Sequence, residues 1–159
     1  DKAPGQFKTR ANQAGATLFV EPSLVEGTLK RGFEIYQAIN EPFNRAAFMM
    51  FLVAEVHPFA DGNGRLARIM MNAELVAADE CRIIIPTIYR NNYLAALRAL
   101  SQNQAAEPMI RMLNFAQKYT MSIDFSTYET AESELRQTNA FMDPGVADEE
   151  GVRLKLGAR

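Results

Sequence analysis

The apolar positions of this chain fall into blocks of different period. The first block reads APGQFKTRANQAGATLFVEPS from Ala3. Phe7 and Lys8 lead into a polar turn at residues 12–15, and TLFV after it is rich in strand formers. That pattern predicts a short β-hairpin over about residues 6–20. Ser23 and Glu26 have the S-x-x-E spacing of a capping box, so a first helix is expected to begin near Leu24. Its apolar positions are Leu24, Val25, Leu29, Phe33 and Ile39, with Gly27 and Gly32 weakening it locally. Pro42 suits the first turn of a second helix, FNRAAFMMFLVAEVH, which is apolar on nearly every side. A helix of that kind belongs at the centre of a bundle.

Pro58 stops the second helix, and Gly62 and Gly64 punctuate a loop. A third helix follows, with Leu66, Ile69, Met70 and Ala73 expected along one face. IIIP is a short apolar run that periodicity assigns to neither helix nor strand. YRNNYLAALRAL and PMIRMLNFAQKY read as two amphipathic helices. Residues 126–139 predict another helix, started by a second S-x-x-E at Ser126 and Glu129. Asp143, Pro144 and Gly145 are expected to form a turn, followed by a polar, mobile tail. No internal repeat or low-complexity tract interrupts this order. The fold class is therefore all-α, a helical bundle with a small β-hairpin near the N-terminus.

Composition narrows the partners more than the fold. The 159 residues suffice for one domain with a real core. Lys and Arg number 17 against 19 Asp and Glu, a net charge of -2. That balance lacks the basic surplus that nucleic acid or an anionic membrane demands, so neither is expected as a partner. The most apolar run, residues 46–56, is too short to span a bilayer and contains Glu55. Cys81 is the only cysteine, which excludes an intrachain disulfide and fits a reducing compartment, most simply the cytoplasm. No signal-peptide pattern opens the chain, and a first residue of Asp1 rather than Met suggests a fragment or a processed protein.

The densest chemistry lies between the second and third helices, in HPFADGNGRLAR, residues 57–68. Glycines before a helix start let successive N–H groups turn inward as an anion nest, where the helix dipole also favours negative charge. Arg65 and Arg68 are three apart and share a helix face, so their guanidinium forks suit several phosphate groups. Asp61 offers a hard oxygen ligand for Mg²⁺ escorting a polyphosphate. His57, the sole histidine, can take a proton from an attacking hydroxyl near neutral pH. Each feature alone has a plainer explanation: a helix-terminal histidine, a turn, a solvated arginine face. Phe59 reads as a core anchor with no chemistry. Base, acid, nest and two arginines within one loop–helix unit are what point to phosphate chemistry.

The same stretch resembles the signature of the Fic family, H-P-F-x-[DE]-G-N-G-R-x-x-R, with every fixed position present. PGQFKT and the hairpin are similar to the family's opening segment and its target-positioning flap. Ile85, Pro86, Arg90 and Tyr93 match its I-P-x-x-x-R-x-x-Y pattern after the motif helix. The resemblance covers roughly residues 4–119 and implies a Fic-type helical bundle. It implies a catalytic domain at 1–120, with the hairpin flap at about 6–20, and a C-terminal helix and tail at 121–159. It further implies a protein adenylyltransferase, moving AMP from ATP to a Ser, Thr or Tyr hydroxyl of a target protein with pyrophosphate leaving.

By position, the resemblance makes His57 the general base and Asp61 the Mg²⁺ ligand. Gly62, Asn63 and Gly64 become the cradle of the α- and β-phosphates, Arg65 a phosphate contact and Arg68 the γ-phosphate contact. Tyr93 and Gln102, with Asn103, fall where nucleotide-side residues are expected, the other readings being core for Tyr93 and solvated loop for the pair. Thr17, Leu18, Phe19 and Val20 would bind an extended target segment by strand addition, or else form a small structural ribbon. Two alternatives stay open: a Fic-type transferase with another phosphate-containing donor, and a nucleotide-binding interaction module without turnover. The family's inhibitory pattern, [ST]-x-x-x-E-[GN], is matched nowhere: Glu26 precedes Gly27 but follows Pro22 by four, and Glu150 precedes Gly151 but follows Val146 by four. An inhibitory segment is then expected upstream, on a partner, or not at all. Homo-oligomerisation is left open.

Overall fold

The computed structural model describes residues 4–15 and 17–157. They fall into two compact units, Asp1–Glu80 and Cys81–Arg159. The expected division at 120/121 thus falls inside the second unit.

The first unit opens with two antiparallel strands, β1 (Gln13–Ala14) and β2 (Thr17–Leu18), in which Gln13 faces Leu18 and Ala14 faces Thr17. The hairpin is as expected, with ladder pairing confined to two residues a strand. A single 3₁₀ turn, Pro22–Leu24, leads into α1 (Val25–Gln37). The capping box at Ser23 does not form: the helix starts one residue late and Leu24 caps it without a side-chain bond. Pro22 opens that 3₁₀ turn, so Ser23 lies inside a turn and not at the extended position a cap requires.

Pro42 begins α2 (Pro42–Val56), whose residues Ala46, Ala47, Met49, Met50, Leu52, Val53, Ala54 and Val56 are all buried. Its partner in the most extensive helix pairing of the unit is α3 (Asn63–Ala77). The buried face of α3 is Asn63, Ala67, Met71 and Leu75, a strict four-residue repeat. The expected face of Leu66, Ile69, Met70 and Ala73 is corrected, Ile69 being 64% exposed. Asparagine, alanine and methionine hold three of the four positions of this face, which hides it from a reading based on large aliphatics.

Where α1 meets α2, Val25, Leu52 and Val56 form a buried cluster with Val20, Leu29 and Phe48 around it. Gly32 allows that approach: a Cβ there would lie 2.6 Å from Leu52 Cδ2. Arg45 and Glu74 tie α2 to α3 at 3.2 Å, and Tyr36 from α1 donates its hydroxyl proton to Glu74 at 2.8 Å.

In the second unit the IIIP run belongs to neither helix nor strand, and Ile84 N–H donates to Thr120 Oγ1 at 2.9 Å. A 3₁₀ turn (Thr87–Tyr89) precedes α4 (Arg90–Asn103), followed by α5 (Glu107–Met121) and α6 (Tyr128–Gln137). The start of α6 is displaced by one residue from the expected Ser126 cap, because Thr127 accepts the Thr130 N–H. Asp143 caps α7 (Pro144–Glu150), a short helix where only a turn was expected. The tail after it is held: Asn139 Nδ2 bonds Arg153 O at 3.0 Å, Lys155 N–H bonds Thr138 O at 3.1 Å, and Gly157 N–H bonds Ser122 Oγ at 2.9 Å. Among the described residues no helix is long and apolar enough to cross a membrane.

Candidate active site

The site grows out of the end of α2. Helix continuation would need an N–H from residue 58 for the Ala54 carbonyl, and Pro58 has none. His57 takes the left-handed conformation, φ 50° and ψ 58°, its own N–H still reaching Val53 O at 3.1 Å. Its imidazole Nδ1 then fills the place left by proline, 3.2 Å from Ala54 O. A carbonyl only accepts, so Nδ1 carries the proton and neutral His57 presents the lone pair of Nε2. The ring is half-buried, and Phe19 from the hairpin stacks on it at 3.7 Å and 10°. Burial pushes the imidazole below its ordinary pKa, against the Ala54 bond, which raises it; the Lys8 ammonium lowers it further.

The loop that follows is held from inside. Asn63 is 1% exposed, and its side chain accepts from Phe59 N–H and donates to Phe59 O, both at 2.8 Å. Its amide is therefore used on the loop's own backbone. Asp61 Oδ1 accepts Gly62 N–H at 2.7 Å, and Gly62 turns the chain into α3 at φ 83°, a conformation that favours glycine. The first-turn N–H groups of Asn63, Gly64 and Arg65 have no intrahelical carbonyls to meet. Both arginines fold back toward this end: Arg65 Nη2 and Arg68 Nη1 each lie 3.7 Å from where a Cβ on Gly62 and Gly64 would stand. Arg65 is also 3.9 Å from Asp61 in an exposed pair, while Arg68 makes no ion pair or hydrogen bond to any described residue.

His57, Asp61, Gly62, Asn63, Gly64, Arg65 and Arg68 thus share one loop and the first two turns of α3. The four hairpin residues separate. Thr17 and Leu18 lie in β2, Leu18 being 72% exposed, whereas Phe19 covers His57 and Val20 packs beside Val25, Leu52 and Val56. Tyr93 is buried on α4 and Gln102 is exposed near its end, both in the second unit. Sequence reasoning missed Lys8 and Asn12, which bond the backbone around His57. Neither falls on an apolar period or in the motif: Lys8 lies in PGQFKT and Asn12 in the polar turn of the hairpin, where nothing in the sequence signals a contact with residues 56–59.

Carboxylate supply is sparse: among the described residues no three His, Cys, Asp or Glu side chains gather in a metal-binding group. A lone exposed carboxylate fits Mg²⁺ that arrives on a polyphosphate, since that ion commonly keeps its waters and takes one or two protein oxygens.

Residues 1–75 match the model of the Fic/DOC family. Protein adenylyltransferase Fic of Drosophila yakuba is 33% identical over 96 residues, 60% of this chain and 18% of that protein. The chain therefore spans under a fifth of the curated relative's length. Among solved structures, residues 134–508 of Fic-1 from C. elegans superpose with a TM-score of 0.59 at 28% identity, covering 71% of this chain and 34% of that one. A Fic domain-containing signaling protein from Bacteroides thetaiotaomicron gives a TM-score of 0.57 at 23% identity, covering 77% and 57%.

Proposed function

We propose that this chain, whose residues 1–75 match the Fic/DOC family model, transfers AMP from ATP to a Ser, Thr or Tyr hydroxyl of a target protein. The observation that carries the proposal is the Nδ1 contact of His57 with Ala54 O, which leaves the lone pair of Nε2 to act as the base on the loop that leads into α3. Curated relatives named protein adenylyltransferase support the choice of AMP as the group moved.

In the proposed step the target oxygen bonds to the α-phosphorus and the bond from that phosphorus to the β-phosphate bridging oxygen breaks. Pyrophosphate departs with the electron pair, and the hydroxyl proton passes to His57 Nε2. Arg65, Arg68 and the first-turn N–H groups of α3 hold the phosphates and offset the charge that develops on them. Asp61 would hold Mg²⁺, which when bound neutralises phosphate charge. An extended target segment would lie along the hairpin at Thr17 and Leu18.

The test compares ATP labelled at the α-phosphate with ATP labelled at the γ-phosphate, each incubated with the protein and a cell lysate. Label entering protein from the α position alone, and lost in His57→Ala while ATP still binds, is the expected result. Label entering from the γ position instead would make the chain a kinase, and binding without either label would make it an interaction module.

A further inference from the structure

The carbonyls of Val56, Pro58 and Phe59 bracket His57 along the chain, and all three accept hydrogen bonds from one short stretch ahead of the hairpin. Lys8 N–H donates to Pro58 O at 2.8 Å and Lys8 Nζ to Val56 O at 3.3 Å. Asn12 Nδ2 donates to Phe59 O at 3.0 Å. The two donors are joined to each other, Lys8 Nζ reaching Asn12 Oδ1 at 2.7 Å. Lys8 is only 5% exposed, an unusual burial for a lysine, and it places its charge at the C-terminal end of α2, where carbonyl dipoles favour a cation. Asn12 O in turn accepts Phe19 N–H at 3.2 Å, and the Phe19 ring lies flat on the imidazole. An unbroken path of bonds and ring contact thus runs from Lys8 through Asn12 and Phe19 to His57.

We propose that Lys8 and Asn12 are positioning residues, a latch that fixes the hairpin to the backbone on both sides of His57 and so holds the imidazole, with Phe19 upon it, in one orientation. A single bond from Nδ1 leaves the ring free to swing about its side-chain torsions. The flat Phe19 face removes that freedom, but only while the hairpin is docked. Among the charged groups, Lys8 is the one that bears on the imidazole, and Glu21 bears on Lys8. The effect on turnover rests on the transferase reading above; the positioning itself does not.

Because His57 is the sole histidine, its ring C–H signals in NMR are assigned without ambiguity. In the wild type they should be displaced upfield by the Phe19 ring current and titrate below the ordinary imidazole range. Lys8→Met should reduce the displacement and move the titration upward, since both the nearby cation and the burial are diminished. The acidic limb of the rate profile should move with it, kcat falling on the order of 10-fold while KM for ATP changes little. Lys8→Arg, which keeps donors and charge, should recover much of each. Asn12→Ala removes half the latch and should shift the same signals in the same direction, which keeps the test available if Lys8→Met fails to fold. Unchanged ring signals and titration in a folded Lys8→Met or Asn12→Ala protein would overturn the latch. A wild type with displaced, low-titrating signals and no transfer would remove the transferase reading and leave the latch standing.

Discussion

At the scale of single residues the site depends on which atom carries a proton. His57 is held below its usual pKa chiefly by burial, so its neutral, base-competent form persists to lower pH than a free imidazole would allow. Transfer should therefore rise with pH along an acidic limb centred below 6.5, measured as initial rate at fixed ATP. The same shift has a consequence for folding. The unfolded chain binds this proton more readily than the folded one, so stability is complete above the ordinary imidazole value and declines as pH falls from there toward the lowered one. Chemical denaturation across that window, in wild type and in His57→Gln, should show the slope only in the first. Arg68 permits a second test. If its guanidinium meets the γ-phosphate, Arg68→Ala should weaken ATP by about 10-fold or more and ADP far less, read by calorimetric titration of both. Equal losses would move Arg68 away from that phosphate. These residues were legible because the motif is contiguous. Asn63 was legible by position but not by orientation, since nothing in a sequence says whether an amide faces a ligand or its own loop.

At the scale of elements, α1 and its neighbours show what pattern reading recovers and what it misses. The strongly apolar α2 was plain, because few polar residues interrupt it. The S-x-x-E starts misled twice, each by one residue, because the 3₁₀ turn opened by Pro22 takes up Ser23 and because Thr127 takes the cap in place of Ser126. The inner face of α3 was missed because an asparagine, an alanine and a methionine hold three of its four positions, with Leu75 the one large aliphatic. The glycines of α1 looked equivalent and are not. Gly27 has nothing near its missing Cβ, while at Gly32 a Cβ would meet Leu52, itself buried against Val25 and Val56. Gly27→Ala should thus stabilise by up to about 1 kcal/mol through helix propensity. Gly32→Val should destabilise by about 2 kcal/mol, since overpacking outweighs the smaller gain in propensity. Thermal unfolding of the two variants should move in opposite directions, and a rise in Tm for both would mean that α1 can slide on α2.

At the scale of the whole molecule the open question is control. In the family's inhibitory pattern a glutamate pairs with the second motif arginine, and that pairing competes with the γ-phosphate for one guanidinium. No residue of this chain matches the pattern, and Arg68 has no ion pair among the described residues. Asp61 lies 3.9 Å from Arg65 in an exposed pair, a geometry worth little to stability. The 159-residue chain by itself should then accept ATP in a productive pose and turn over without a releasing partner. Its own surface offers hydroxyls to modify, such as Thr17 beside the site and Ser133 on α6. Incubated with Mg²⁺ and ATP, the wild type should gain the mass of one or more adenylyl groups in intact-mass spectrometry, and His57→Ala should gain none. The two proteins mixed should label the inactive one as well, which would show transfer between molecules. If the wild type stays unmodified and labels nothing in lysate, yet becomes active when dilution lowers self-association or when Glu26 is replaced, then inhibition is built in by a contact outside the known pattern.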